Sequence, residues 1–499
     1  MRTRLLVIST AIALALSAAW PSAAPAVRGA GRAPDPQSGQ ARPDIDRIFA
    51  EWDRRDSPGC ALGVYQEGRI AYERGYGMSD LEHDIANTAE SVFYAGSLAK
   101  QFTAMAAALA MEEGKLAIDD PIRKYLPELP EYASPITVGH LLHHTSGLRD
   151  YNTLLWIAGR RDDEAFDNLT VLRITARQKQ LNFRPGDEYL YSNTGYTLLA
   201  LIVERATRTL FSEFAAKRIF EPLGMAATHY HTDDSRLVKW RALGYGGRAG
   251  AFTLDIPSNE RAGAGGLFTS IRDLLQWDEN FYSARVGGRG VVERLLTRGT
   301  LNSGTRLTYA WGLEIGTYRG LPIVEHGGSF GGYRAHLLRF SDQHATVALL
   351  CNLGSINPRA LARRVADASL ASRFTAPAEA PSGAASSPQP RPAAGPRPAA
   401  SATHGPVDDY AGRYYSDEVD ATFIVALKEG RLTARRDNGE NAVTLEAVDG
   451  GFRFRGGRAL PAEMTVRFER GPDGAPPVLI VDAGRVRDIR FVRQPATDR

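Results

Sequence analysis

Cysteine is nearly absent: two in 499 residues, Cys60 and Cys351. That excludes a disulfide-stapled scaffold and any Cys-rich zinc or iron–sulfur site. The two read as buried, apolar thiols, with a single bridge between them left open. An excess of either charge sign is also missing. Lys and Arg number 60 against 57 Asp and Glu, a net +3 with His neutral. No basic block or stripe stands out, so nucleic acid is excluded as an expected partner. No H-E-x-x-H occurs, and the adjacent His143 and His144 would point different ways on a helix, so no metal is expected. No cofactor is implied either. Only Leu5–Ala19 is apolar for any length, and it is short of the ~20 residues that a membrane span needs.

What remains is ordinary globular composition, 43% hydrophobic and 23% charged, with ample length to bury a core. Met1–Arg4 carries two arginines. The apolar run follows, and then small-x-small sites at Ser22–Ala24 and Ala24–Ala26. This is the three-part pattern of a secretory signal peptide, here residues 1–26. The expectation is an exported protein, in a bacterial periplasm, with no stable membrane span. Residues 27–43 read as a spacer. Thr375–Pro406 is almost entirely Pro, Ala, Ser and Gly, with no periodicity that could bury a face, so it reads as a linker. It separates a body, residues 44–374, from a tail, residues 407–499.

The body reads as α+β. Ala61–Tyr65 and Ile70–Tyr72 are strand-like about a turn at Glu67-Gly68. Ser97–Glu113 reads as one helix stopped by Gly114, and its middle, Ala104–Leu109, is apolar on every face and should be buried. Thr137–His143, Gly195–Ala206 and Ile271–Phe281 read as further helices. Leu321–Glu325, Tyr333–Phe340 and Thr346–Cys351 read as successive antiparallel strands. Strands at both ends with helices between predict one antiparallel sheet flanked by helices. The tail holds short, evenly spaced strand-like runs, from Phe423–Leu427 to Val486–Val492. They suggest a small closed barrel.

Three local patterns carry chemistry. Ser97-Leu98-Ala99-Lys100 places a hydroxyl and an amine one helical turn apart, on one face. Burial lowers a lysine's pKa, and a neutral amine can take the serine proton. The helix N-terminus offers backbone N–H groups to an oxyanion. Tyr191-Ser192-Asn193 presents a phenol and a carboxamide just before an apolar helix. His326-Gly327-Gly328-Ser329 ends a strand, and its glycines let a substrate backbone lie close.

In this order the three resemble the serine β-lactamase-related family: class C β-lactamases, D-alanyl-D-alanine carboxypeptidases, D-aminopeptidases and related esterases. Leu141–Leu148 (LLHHTSGL) and Ala264-Gly265-Gly266-Leu267 followed by Asp273-Leu274 are similar to it as well. The tail, opening Tyr410–Tyr415, resembles lipocalin-like barrels appended to some members. The resemblance implies an acyl-enzyme on Ser97, with Lys100 and Tyr191 sharing base and relay work. Asn193, His326, Gly327 and Gly328 would bind and orient a small-molecule or peptide substrate. The backbone N–H groups of Ser97 and Ser329 would form the oxyanion hole. Where family members that bind a free carboxylate carry Lys-Thr-Gly, this chain has His326-Gly327-Gly328, which fits the esterase and aminopeptidase branches.

Two rival readings remain. Gly327–Gly331 fits G-x-S-x-G, which would make Ser329 the nucleophile of an α/β-hydrolase, provided that a helix follows it. The second is a non-catalytic, penicillin-binding-like sensor or scaffold. The acyl group itself (D-peptide, ester or β-lactam) is not encoded in any motif.

Overall fold

Strand pairing joins the two ends of the body, Cys60–Gln66 to Ala345–Cys351. The computed structural model describes residues 42–160, 164, 166–258, 261–377, 407–438, 442–448, 451–455, 464–469 and 477–495. The signal peptide, most of the spacer and nearly all of the linker lie outside these. In the body, a six-stranded sheet runs Glu314–Tyr318, Leu321–Phe330, Tyr333–Phe340, Ala345–Cys351, Cys60–Gln66, Arg69–Tyr76, every pair antiparallel.

The inner strands are continuous apolar runs because both sheet faces are covered. Side chains alternate between the faces. Leu62, Val64, Val347 and Leu349 face a core completed by Ile45 and Phe49 of the first helix and Leu361 and Val365 of Pro358–Ser369. Ala61, Tyr65, Ala348 and Leu350 face the other way, toward Phe102, Ile271 and Leu274. There lies the helix Ala99–Glu112, in which every residue through Ala110 is buried. The other three expected helices form as Val138–Leu142, Asn193–Thr207 and Ile271–Ser283. Thr137 and Ser270 cap the first and last of these with their hydroxyls.

Two expectations need correction. Ser97–Glu113 is not one α-helix. Gly96 takes φ +55°, a short 3-10 turn spans Gly96–Leu98, and the α-helix begins at Ala99. The left-handed glycine forces the entry, and Ser97 sits on the turn. Second, Cys60 and Cys351 are not free thiols. They face each other across neighbouring strands, with Cα atoms 3.9 Å apart, and form a disulfide. Sheet register alone brings them together.

The tail forms a closed eight-stranded barrel. Two of its strands, Gly412–Ser416 and Arg431–Arg436, have no counterpart in the sequence reading. Residues 39–499 are one compact unit, and the barrel packs on the body. Leu154, Ile157 and Ile174 of the body join the barrel's apolar cluster with Tyr414 and Phe423. Buried Arg149 ion-pairs with buried Glu418 at 2.5 Å and donates to the carbonyls of Arg487 and Asp488. No helix among the described residues is long and apolar enough to cross a membrane.

Candidate active site

Ser97 and Lys100 meet as their spacing predicts. Lys100 Nζ lies 3.1 Å from Ser97 Oγ, with the lysine wholly buried. Its other partners are Asn193 Oδ1 and the carbonyl of Ala264, both at 2.9 Å. Those two oxygens can only accept. A neutral amine has two hydrogens and one lone pair. Satisfying both acceptors leaves the lone pair directed at the Ser97 hydroxyl. The environment favours that neutral form. Burial, then repulsion from Arg485, draws the Lys100 pKa well below the ordinary lysine value, and Asp150 opposes this in part.

Asn193 is itself held. Asp150 Oδ2 accepts from the Asn193 backbone N–H at 2.7 Å and from its side-chain amide at 3.0 Å. Asp150 Oδ1 caps the helix Tyr151–Ile157. One carboxylate therefore fixes the start of a helix and the amide that faces Lys100. Tyr191 lies just before the helix that Asn193 opens, and its ring centroid lies 4.7 Å from Lys100 Nζ. Burial pushes its phenol well above the usual tyrosine pKa, and hydrogen bonding with Ser97 offsets only part. The phenol therefore keeps its proton.

The strand Leu321–Phe330 borders the other side. It approaches the Ser97 turn so closely that neither facing glycine could carry a side chain. A Cβ on Gly328 would sit 2.0 Å from the Ala95 carbonyl oxygen, and one on Gly96 would sit 2.6 Å from Ser329 N. The backbone N–H groups of Ser97 and Ser329 thus lie on adjoining segments. Gly327, one residue earlier, lines the cavity with them. His326 is buried with both ring nitrogens engaged. Nδ1 donates to the Gly327 carbonyl at 2.7 Å, so Nε2 accepts from the Tyr309 hydroxyl at 3.1 Å. Burial, then Lys100, pulls its pKa down to about 3. It is neutral at physiological pH, and its ring N–H is already committed.

Ser329 cannot be the serine of a nucleophile elbow. It lies inside a strand and is followed by a hairpin into Tyr333–Phe340, where that motif needs a helix.

The whole group opens on a cavity of about 650 Å³. Sequence reasoning missed several residues of the site. Asp150 and Tyr309 had no motif to mark them. Neither did Arg261 and Arg485, which line the cavity, and Arg485 comes from the barrel. It sits in the turn between Val478–Ala483 and Val486–Arg493, with its guanidinium carbon 4.7 Å from the Tyr191 ring centroid. Nothing local in the tail signals such a role.

A helix-backed antiparallel sheet with a serine hydroxyl and a buried amine beside its second strand is the fold of a serine-hydrolase family. The chain belongs to the Beta-lactamase family, whose model matches residues 45–372. It is 28% identical over 300 residues to a D-aminopeptidase of Gluconobacter oxydans, covering 60% of this chain and 56% of that one. The match therefore spans little more than half of that relative. A D-aminopeptidase of Cereibacter sphaeroides is 27% identical over 451 residues, covering 88% of this chain and 81% of the relative. The octameric penicillin-binding protein homologue from Pyrococcus abyssi shares the fold, with TM-score 0.58, 21% identity, and coverage of 90% of this chain and 97% of that one.

Proposed function

We propose that the protein is an exported serine hydrolase that forms an acyl-enzyme on Ser97 and cleaves an amide or ester of a small molecule or peptide. D-amino-acid amides are the leading substrate class. The carrying observation is the buried Lys100 amine 3.1 Å from Ser97 Oγ, with two obligate acceptors holding its hydrogens. Neutral Lys100 takes the Ser97 proton as Oγ attacks the substrate carbonyl. The oxyanion forms between the N–H groups of Ser97 and Ser329. The Tyr191 phenol gives its proton to the leaving group as the carbonyl–heteroatom bond breaks, and is reprotonated from Lys100. Water then releases the acyl group by the reverse relay. The opposite pKa shifts of Lys100 and Tyr191 support lysine as the base and tyrosine as the donor.

Two observations favour the aminopeptidase branch. His326 supplies no cation where a free carboxylate on the leaving group would lie, and two D-aminopeptidases are among the relatives. The barrel limits access through Arg485, which lines the cavity. Export, to a bacterial periplasm, rests on the leader-like residues 1–26.

Intact-protein mass after exposure to a penicillin, then to short esters and D-amino-acid amides, tests the nucleophile. An adduct mapped to Ser97, absent in Ser97→Ala, is expected. Undiminished turnover by Ser97→Ala sinks the assignment, whereas a wild-type protein that forms no adduct and turns over none of these compounds revives the non-catalytic, sensor-like reading of this fold.

A further inference from the structure

Four arginines line the Ser97 cavity against one carboxylate, Glu314. Three of the four are engaged. Arg359 ion-pairs with Glu325. Arg334 donates to the carbonyls of Gly331 and Tyr333, each at 2.7 Å. Arg485 lies 3.8 Å from Asp150. Arg261 differs. It is only 7% exposed, yet among the described residues no carboxylate or carbonyl receives its guanidinium. Three aromatic rings surround it instead. Its guanidinium carbon is 3.8 Å from the centroid of Phe166, 5.5 Å from Phe330 and 5.8 Å from Tyr151.

Ring faces attract a cation, but they do not replace acceptors in the guanidinium plane. A guanidinium that opens on the cavity with no anionic partner among the described residues is a ready receptor for a carboxylate, through two parallel N–H···O bonds. The cage also has a direction. The leaving group departs beside Tyr191, which protonates it. Neither Tyr191 nor His326 belongs to the Arg261 cage. Phe330 does, one residue beyond the oxyanion N–H of Ser329. The acyl part of the substrate therefore extends toward Arg261.

We propose that Arg261 binds a carboxylate on the acyl part of the substrate, so that the enzyme selects acyl donors bearing negative charge. This rests on the Ser97 acyl-enzyme reading. The probes are p-nitrophenyl hexanoate and mono-p-nitrophenyl adipate, which match in acyl length and differ in a terminal carboxylate. Wild-type kcat/KM should favour the adipate ester by about tenfold or more, as expected for a hydrogen-bonded ion pair. Arg261→Met should bring the ratio to about one, and Arg261→Lys should keep part of it, since it retains charge but not the planar fork. A wild-type ratio near one, or a ratio unmoved in Arg261→Met, overturns the proposal.

Calorimetric binding of adipate and of adipamide to the wild-type protein reads the same point without turnover or a variant. Adipate should bind at least about tenfold tighter. Equal binding of the two overturns the proposal. If adipate wins and neither ester is turned over, the Ser97 reading fails while the anion site stands. If the hexanoate ester is hydrolysed through Ser97 and the carboxylate brings no advantage, the anion site fails alone.

Discussion

Breaking the ion pair between Arg149 and Glu418 should loosen the barrel and lower stability by several kcal/mol. The side chains are 0% and 3% exposed, and the N–O distance is 2.5 Å. With charge centres ~4 Å apart and an effective dielectric constant of ~20, their attraction is about 4 kcal/mol. Removing one partner forfeits that and strands the other charge in a dry interface, which typically costs about 3–5 kcal/mol. Arg149→Met also orphans the carbonyls of Arg487 and Asp488, so it should lose the most, about 4 kcal/mol. Glu418→Gln keeps the shape and one acceptor for the Lys179 N–H, and should lose about 3 kcal/mol. The double variant should lose at least ~2 kcal/mol less than the sum, because no charge is left unpaired. Urea unfolding of the full chain measures this. Trp156, packed against the barrel's apolar cluster, gives a fluorescence signal for undocking. Single variants within ~0.5 kcal/mol of wild type, or strictly additive losses, would refute the argument that this pair seats the barrel.

Two further predictions follow from the site. Arg485→Ala removes a cation that holds Lys100 down, so the Lys100 pKa should rise. The base acts when neutral, so activity is lost as pH falls through that pKa, and the acid limb of kcat/KM should move to higher pH; a pH–rate profile with an unmoved limb would contradict this. Gly328→Ala places a Cβ 2.0 Å from the Ala95 carbonyl oxygen, which would push the strand off the Ser97 turn. The loss of one oxyanion donor should lower kcat about a hundredfold or more, with circular dichroism unchanged, and a variant retaining wild-type kcat would show that Ser329 N–H takes no part.

Much of this protein is legible in its sequence because it is encoded locally. A hydroxyl and an amine three residues apart at a helix start must share a face, whether the first turn is α or 3-10. The helix middle Ala104–Leu109 and the largely apolar strand Ala345–Cys351 declare their burial by lacking a polar face. Barrel strands such as Val443–Val448 show through alternation. Strand Arg431–Arg436 does not, because three of its six residues are arginines and one of them, Arg436, is buried.

Tertiary structure alone decided the rest, because those contacts join residues with no short-range relation. The Cys60–Cys351 bond spans 291 residues and exists because two strands meet in that register. Asp150 holds Asn193 across 43 positions. The Ala264 carbonyl claims a Lys100 hydrogen across 164, and a barrel turn delivers Arg485 to Tyr191. The sequence by itself determined which residues could do acyl chemistry. Packing determined that Lys100 is dry, with Nζ 3.1 Å from Ser97 Oγ and its pKa drawn down by burial, that both ring nitrogens of His326 are spent, and that a guanidinium waits among three rings at the cavity wall. Desolvation and hydrogen-bond partnership are properties of the assembled interior, and no local pattern of residues encodes them.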